Sequence, residues 1–343
     1  MLSCASSNLV IGEPAGYTQN PDLETVNKSE TWQGTPLDSD GNFRNIYEPF
    51  VSNLIDFLRW QASTNPQKAE KKADTTRLNV VYDLSVLDNE EDKIIWLGHA
   101  TFYIYLNGVG ILLDPVLIDN FFLKRNSKLP FGIDDIKKVD YILVSHDHRD
   151  HCDESTLKIL ATKFPQAQFL AGLETDKLIK EWVKKSEVQG AGWYQKFKTN
   201  SNIEIVFVPA RHWSKRGPFD ENQRLWGGFY IKSPDQTIYF MGDSGNSKHF
   251  EDIANILGSP DYCIMGVGAY KPEWFMKRAH ISPLDAIDAF NVMGGKYFIP
   301  MHFGTFDLSD EPLLEPLRVL EQNSNKIKGK LISSPLGTNL IQN

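Results

Sequence analysis

The chain has 343 residues, 41% hydrophobic and 23% charged, which excludes disordered, collagen-like and low-complexity architectures. Its 36 Lys and Arg against 44 Asp and Glu give a formal charge of -8, which argues against a general nucleic-acid binder, because phosphate contacts supply most of that affinity. The longest apolar stretches, such as 262–270, are too short for a spanning helix of about 20 residues, and three cysteines (Cys4, Cys152 and Cys263) are too few for a disulfide framework.

At the start of the chain, Leu2-Ser3-Cys4 followed by Ala5-Ser6-Ser7-Asn8 reads like the tail of a lipobox. Cys4 is therefore the candidate lipid anchor if the protein is bacterial; the plainer reading is a polar N-terminus. Positions 1 to about 45 are rich in Asn, Ser, Thr and Gly without an apolar period, which predicts a loosely packed arm. Val51, Leu54, Ile55, Leu58 and Ala62 then recur at helical spacing, with Phe50, Phe57 and Trp60 widening the apolar face. Two readings of that helix stay open: it closes the core beside a site, or it presents Phe57 or Trp60 to a bilayer or a lipid tail. A hydrophilic linker over 64–77 follows, so the chain divides into an arm with an amphipathic helix, 1–77, and a main domain, 78–343.

From 78 onward the pattern changes to short β-like runs at 94–97, 102–106, 109–113, 141–144, 203–208, 238–241, 262–267 and 297–301. Asp153 is placed to cap a helix carrying Leu157, Leu160, Ala161 and Phe164 on one face. Ser282-Pro283 is an N-cap and first-turn pair, with Asp285 in the first turn of a helix reaching about Met293. Hairpin-like strands early and strand–helix alternation later predict stacked sheets with helices outside, a layered α/β fold.

Three of the eight histidines fall in the run His146-Asp147-His148-Arg149-Asp150-His151, directly after an apolar strand. A turn there can point His146 and His148 one way and Asp150 and His151 another, which is what a two-metal site needs. His212, Asp243 and His302 also lie beyond the ends of apolar strands, in loops of the kind where functional residues collect. If those strand ends meet, five histidines and two aspartates converge, and Asp243 is the natural bridge because its carboxylate has one oxygen for each ion. Two divalent ions outweigh two carboxylates and one hydroxide, so the centre stays net positive and suits an anionic ester such as a phosphodiester. Coordination also lowers the pKa of bound water toward about 7, so hydroxide is available at neutral pH. All donors are nitrogen or oxygen, which favours zinc and leaves iron and manganese open.

The His-x-His-x-Asp-His run resembles the signature of the metallo-β-lactamase superfamily, whose fold is an αββα sandwich. Other segments resemble N-acylphosphatidylethanolamine-hydrolysing phospholipase D and its bacterial relatives, in the family order over roughly 93–310. They are Trp96-Leu97-Gly98-His99-Ala100-Thr101, Leu113-Asp114-Pro115, His212-Trp213-Ser214-Lys215-Arg216, Leu225-Trp226-Gly227, Gly242-Asp243-Ser244-Gly245, Trp274-Phe275-Met276-Lys277 and His302-Phe303-Gly304-Thr305. The resemblance implies two zinc ions, one held by His146, His148 and His212 and the other by Asp150, His151 and His302, with Asp243 bridging. It implies catalytic roles for Asp150, Asp243 and His280, the last near the substrate phosphate. In the family a bridging hydroxide attacks phosphorus and releases N-acylethanolamine and phosphatidic acid. The 121–132 loop carries Lys124-Arg125 without the family's Gly-Pro-Lys-Arg run, so head-group contacts from that loop are not carried over.

Among the remaining candidates, Asp114 fits the orientation of a ligand imidazole through its second N–H; its alternative is a turn aspartate before Pro115. His280 is set either to hydrogen-bond the phosphodiester or to make a structural bond before the Ser282 cap. His99 reads as a structural or ligand-supporting group, with substrate contact as its other role, and His249 as a surface or local-packing residue. Lys215 and Arg216 follow His212 closely enough to reach an anionic head group; the plainer reading is a pair of solvated surface cations. Cys152 has no partner to activate it as a nucleophile. The expected partner is a phospholipid at a membrane surface, reached peripherally or through lipidated Cys4; a homodimer stays open. The alternatives are another phosphodiesterase or a lactonase on the same centre, or a membrane-associated binding protein with a vestigial site.

Overall fold

The computed structural model describes residues 12–49, 54–119 and 123–342; the readings placed on Cys4, Phe50 and Val51 lie outside the described residues. The arm forms strands β1 (Gly16–Thr18), β2 (Glu24–Thr25) and β3 (Thr35–Leu37) and helices α1 (Leu54–Ala62) and α2 (Lys68–Ala73). A six-stranded sheet follows in chain order: β4 (Lys93–Gly98), β5 (Thr101–Leu106), β6 (Val109–Leu113), β7 (Tyr141–Val144), β8 (Gln168–Gly172) and β9 (Val188–Ala191). Its first three strands are antiparallel neighbours and the rest run parallel.

The second sheet contains β10 (Gln195–Lys196), β11 (Glu204–Val208), β12 (Gly228–Lys232), β13 (Thr237–Phe240), β14 (Tyr262–Gly266), β15 (Tyr297–Met301) and β16 (Lys330–Leu331). These strands lie side by side in sequence order, and β2 of the arm adds an eighth, antiparallel to β10, at the edge. Helices α3 (Glu154–Lys163) and α4 (Thr175–Val183) belong to the first half; α5 (His249–Leu257), the short α6 (Glu273–Met276), α7 (Pro283–Met293) and α8 (Glu315–Gln322) belong to the second.

Period-two alternation explains the layering. In the first sheet Ile94, Trp96, Phe102, Ile104 and Leu143 face the second sheet, where Phe207, Phe229 and Phe240 meet them. Ile95, Leu97, Ile142, Val144 and Phe169 point the other way, onto Leu157, Leu160, Ile179 and Val183 of α3 and α4. On the far side, Phe250 and Ile253 of α5 and Ile287 and Phe290 of α7 close the second sheet. Each fully buried side chain of this kind contributes about 1.5–3 kcal/mol relative to exposure. The result is the expected αββα sandwich.

Helix boundaries follow the capping chemistry. Asp153 accepts the Thr156 N–H and starts α3; Ser282 accepts the Asp285 N–H and starts α7, which Gly294 ends in a left-handed conformation. The arm departs from expectation. Its polar residues hold specific partners: the Thr35 hydroxyl accepts the Trp193 N–H at 2.8 Å, and the Gln195 side chain accepts the Asn20 N–H at 2.8 Å. Thr35, Phe43 and Asn45 are buried, so this part of the arm is packed rather than loose. The hydrophilic stretch after α1 is also pinned: Asn65 donates to the Asp310 carbonyl at 2.8 Å, and Lys71 donates to the Ser309 carbonyl and pairs with Asp307. No helix among the described residues is long and apolar enough to cross a membrane.

Candidate metal centre

The site forms where strands of both sheets end. His99 follows β4, Asp114 follows β6, the His146–His151 run follows β7, and His212, Asp243 and His302 lie beyond β11, β13 and β15. His99, Asp114 and His302 hold positive φ (54°, 39° and 66°), the local strain that a rigid frame imposes at such rims.

Three imidazole nitrogens converge in one group. His148 Nδ1 lies 2.9 Å from His146 Nε2 and 3.1 Å from His212 Nε2. The partners on the far sides of these rings set their tautomers. His212 Nδ1 lies 2.9 Å from the Ala279 carbonyl, which only accepts, so the proton sits on Nδ1 and the Nε2 lone pair faces inward. The Ser145 hydroxyl donates to Asp114 at 2.6 Å, so its oxygen accepts from His146 Nδ1 at 2.9 Å, and His146 Nε2 is likewise a lone pair. Burial, then the neighbouring imidazoles, hold His146 and His212 well below the usual histidine range; burial also lowers His148.

The second group is Asp150, His151 and His302. Asp150 Oδ2 lies 3.5 Å from His151 Nε2 and 3.6 Å from His302 Nε2. Asp243 stands between the groups: Oδ1 is 3.1 Å from His302 Nε2, while Oδ2 is 3.2 Å from His151 Nε2 and 3.9 Å from both His146 and His212 Nε2. Burial alone would raise Asp150 and Asp243, but the surrounding imidazoles hold both carboxyls well below the usual range. For His302, burial works against the charged form, yet Asp243 and Asp150 push it up to about 9.

These residues fit a divalent metal pair. His151 Nδ1 donates to Asp114 at 2.7 Å, which turns its Nε2 toward the oxygens of Asp243 and Asp150; burial works against the charged form, yet these carboxylates hold the imidazole well above its usual range. His151 Nε2 and His302 Nε2 are buried without a hydrogen-bond partner. Imidazole nitrogens opposed to carboxylates favour a positive charge between them, a proton or a metal ion, and nitrogen and carboxylate oxygen are the donors that zinc, iron and manganese accept.

A cavity of about 690 Å³ opens over this base. His148, Asp150, Asp243, His280 and His302 line its floor, while Phe57, Trp60, Trp213, Phe275, Met276 and Leu308 form apolar walls. Trp60 of α1 stacks on Phe275 with ring centroids 5.1 Å apart and donates from Nε1 to Asp310 at 3.2 Å. Trp60 thus closes the site, as the first reading of α1 expects, while Ile55, Phe57 and Leu58 are 74%, 44% and 55% exposed.

His280 lines the cavity with Nδ1 3.8 Å from Asp243 Oδ2, and burial lowers it to about 4. His99 lies behind the floor, its Nε2 2.9 Å from Asp150 Oδ2; burial lowers it to about 3, and it does not line the cavity. Lys215 reaches the cavity and pairs with Glu221 at 3.4 Å. Arg216 does not: it donates to the carbonyls of Asp147 and Cys152, each at 2.8 Å, and lies over the Trp182 ring, so its substrate role is replaced by a structural one. Arg125 likewise turns inward to the Val116 and Leu97 carbonyls. Cys152 is buried and pushed up to about 12 by burial, so it is no nucleophile.

Sequence reading missed Asn45. Its side chain accepts the His212 N–H at 3.1 Å and donates to the His212 carbonyl at 3.0 Å, fixing that residue's backbone from the arm. A lone asparagine in a polar stretch carries no signal of this.

The fold and the donor set define a metal-dependent hydrolase, and comparison with known proteins agrees. The beta-lactamase superfamily domain matches residues 110–303. The N-acyl-phosphatidylethanolamine-hydrolyzing phospholipase D 1 of Caenorhabditis elegans is 30% identical over 296 residues, 80% of this chain and 82% of that protein. The mitochondrial N-acyl-phosphatidylethanolamine-hydrolyzing phospholipase D of Saccharomyces cerevisiae is 32% identical over 256 residues, 69% of this chain and 53% of the yeast protein. Among solved structures, a metallo hydrolase of Ignicoccus hospitalis superposes with a TM-score of 0.57 at 21% identity, over 74% of this chain and 99% of the other, and supports the fold alone. The chain belongs to the metallo-β-lactamase superfamily and, within it, to the family of the N-acylphosphatidylethanolamine-hydrolysing phospholipases D.

Proposed function

We propose that this protein is a dizinc phosphodiesterase that hydrolyses N-acylphosphatidylethanolamine to N-acylethanolamine and phosphatidic acid at a membrane surface. The observation that carries this reading is the cavity, with His and Asp donors at its base and aromatic walls from α1 and α6 above them. A phosphodiester flanked by long acyl chains has that same division of polar centre and apolar arms.

His146, His148 and His212 would hold one ion, Asp150, His151 and His302 the other, with Asp243 shared. When bound, such ions lower the pKa of coordinated water and polarise a phosphoryl oxygen. The protein's own groups do the rest. Lys215 and Arg149 bring positive charge to the cavity wall, where the phosphodiester would lie. His280, kept neutral by burial, retains one N–H to hydrogen-bond the phosphodiester. Phe57, Trp60, Phe275 and Met276 would receive an acyl chain and exclude water from the polar base. Membrane contact is peripheral, or through lipidated Cys4 if the source is bacterial.

The test is mass-spectrometric product analysis of the zinc-loaded protein with N-acylphosphatidylethanolamine vesicles and an Asp150→Asn control. Matched release of phosphatidic acid and N-acylethanolamine, absent from the control, supports the reading. Free fatty acid moves the reaction to another ester bond, and no product from a folded, metal-replete sample sinks the lipid assignment.

A further inference from the structure

The run that carries the metal donors also contains a buried carboxylate that faces away from them. Asp147, between His146 and His148, is fully buried. Its Oδ1 accepts the Lys215 N–H at 3.1 Å, and its Oδ2 lies 3.2 Å from Arg224 Nε. Arg224 also pairs with Asp220, whose Oδ1 accepts the N–H groups of Arg216 at 3.2 Å and Gly217 at 2.7 Å. The far flank is closed by Asn222, whose side chain accepts the Ser214 N–H at 3.2 Å.

The loop between His212 and β12 is therefore tied through Asp147 to the metal-donor run. From this loop Trp213, Lys215 and Glu221 reach the cavity, and the Trp213 ring meets His148 edge-on with centroids 4.8 Å apart. A buried ion pair adds little net stability over apolar residues of the same volume, whereas its geometry is demanding. Arginine's planar fork suits it to hold two carboxylates at once, which a lysine does less well.

We infer that the Asp147–Arg224 pair is a positioning device that fixes the 213–221 loop over the cavity and so sets how the anionic part of a substrate is held. Neither residue belongs to the candidate donor groups or lines the cavity. The substrate side of this inference rests on the phosphodiesterase reading above; the loop-fixing side does not.

Arg224→Gln and Arg224→Lys test it with four readouts: bound metal, kcat and KM on N-acylphosphatidylethanolamine vesicles, the Kd of inorganic phosphate for the metal-loaded protein, and amide hydrogen exchange. Arg224→Gln should keep its metal, raise KM and the phosphate Kd about tenfold, leave kcat within about twofold, and speed exchange only over 213–221. Arg224→Lys should recover part of each change. If Arg224→Gln fails to fold, Arg224→Lys carries the comparison with an effect of about threefold. Unchanged phosphate binding and exchange would overturn the inference. So would joint loss of metal and kcat, which would assign the pair to holding His146 and His148. A protein that leaves the lipid intact but shows the phosphate and exchange effects keeps the inference and sinks the lipid reading.

Discussion

Asp114 and His151, itself one of the candidate donors, face each other at 2.7 Å, and both are fully buried. The Asp114 oxygen that accepts His151 Nδ1–H also accepts the Ser145 hydroxyl at 2.6 Å, and the other oxygen accepts the Ser145 N–H at 2.7 Å. Ser145 in turn accepts from His146. One carboxylate therefore holds the Nδ1 proton of two imidazoles, His151 directly and His146 through Ser145, and each then turns its Nε2 inward.

Asp114→Asn should weaken metal binding by about 10- to 100-fold while leaving every proposed ligand in place. An amide that presents its NH2 to His151 Nδ1 drives the proton to Nε2, the atom that would bind metal. Competition against a chelator of known affinity measures this. An affinity equal to wild type would remove the orienting role from Asp114.

His249 supplies a pH dependence away from the donors. It is buried in α5, 3.1 Å from the Ser244 hydroxyl, and burial followed by the Arg211 charge lowers it to about 3 from 6.5. Between those values the unfolded chain binds the proton and the native chain does not, so stability falls as pH drops below 6.5 toward 3. At pH 4.5 the loss attributable to His249 is roughly 3 kcal/mol. Glutamine at this position keeps a hydrogen-bonding side chain without titrating. Denaturant unfolding of wild type and His249→Gln at a series of pH values should show the variant gaining relative stability as pH falls. Parallel curves would show that His249 does not titrate on unfolding in this way.

The contrast between the candidate metal donors and the rest shows what one chain can reveal. The donors are legible because their chemistry is written in residue type and because each follows an apolar run with a clear strand period. The caps of α3 and α7 are legible for a similar reason, since Asp153 and Ser282 act within three residues of themselves. Pairing of β2 with β10 joins Glu24 to Lys196, and two short polar segments carry no local mark of so distant a partner. Arg216 misleads in the other direction: a guanidinium that binds backbone carbonyls has the same sequence appearance as one that awaits an anion. Thr35 and Asn45 look like loop residues because their burial depends wholly on partners from the second half of the chain.

Trp60→Ala should act on apolar substrate parts and spare the metals. Trp60 stacks on Phe275 and lines the cavity from the arm, so its removal opens the wall where an acyl chain would lie. For a long-chain N-acylphosphatidylethanolamine, kcat/KM should fall about tenfold, with bis(p-nitrophenyl) phosphate hydrolysis changed by less than about twofold. Equal losses on both substrates would instead place Trp60 in the support of the metal floor.

Gly242→Ala should displace Asp243 from its place between the two donor groups. Gly242 has φ +64°, and an added Cβ would lie 2.6 Å from the Gly227 carbonyl oxygen and 2.9 Å from Ser145 Cβ. The left-handed conformation alone costs a non-glycine residue about 1–2 kcal/mol. Gly41 separates that cost from the contact, since its φ is +81° and an added Cβ there meets nothing within 4 Å. Gly41→Ala should therefore lose about 1 kcal/mol and retain its full metal content. Gly242→Ala should lose more stability and bind less metal, because Ser145, which supports His146, must move together with Asp243. Thermal unfolding and metal analysis of the two variants side by side check this; equal stability losses with full metal content in both would show that the strand end yields without disturbing the centre.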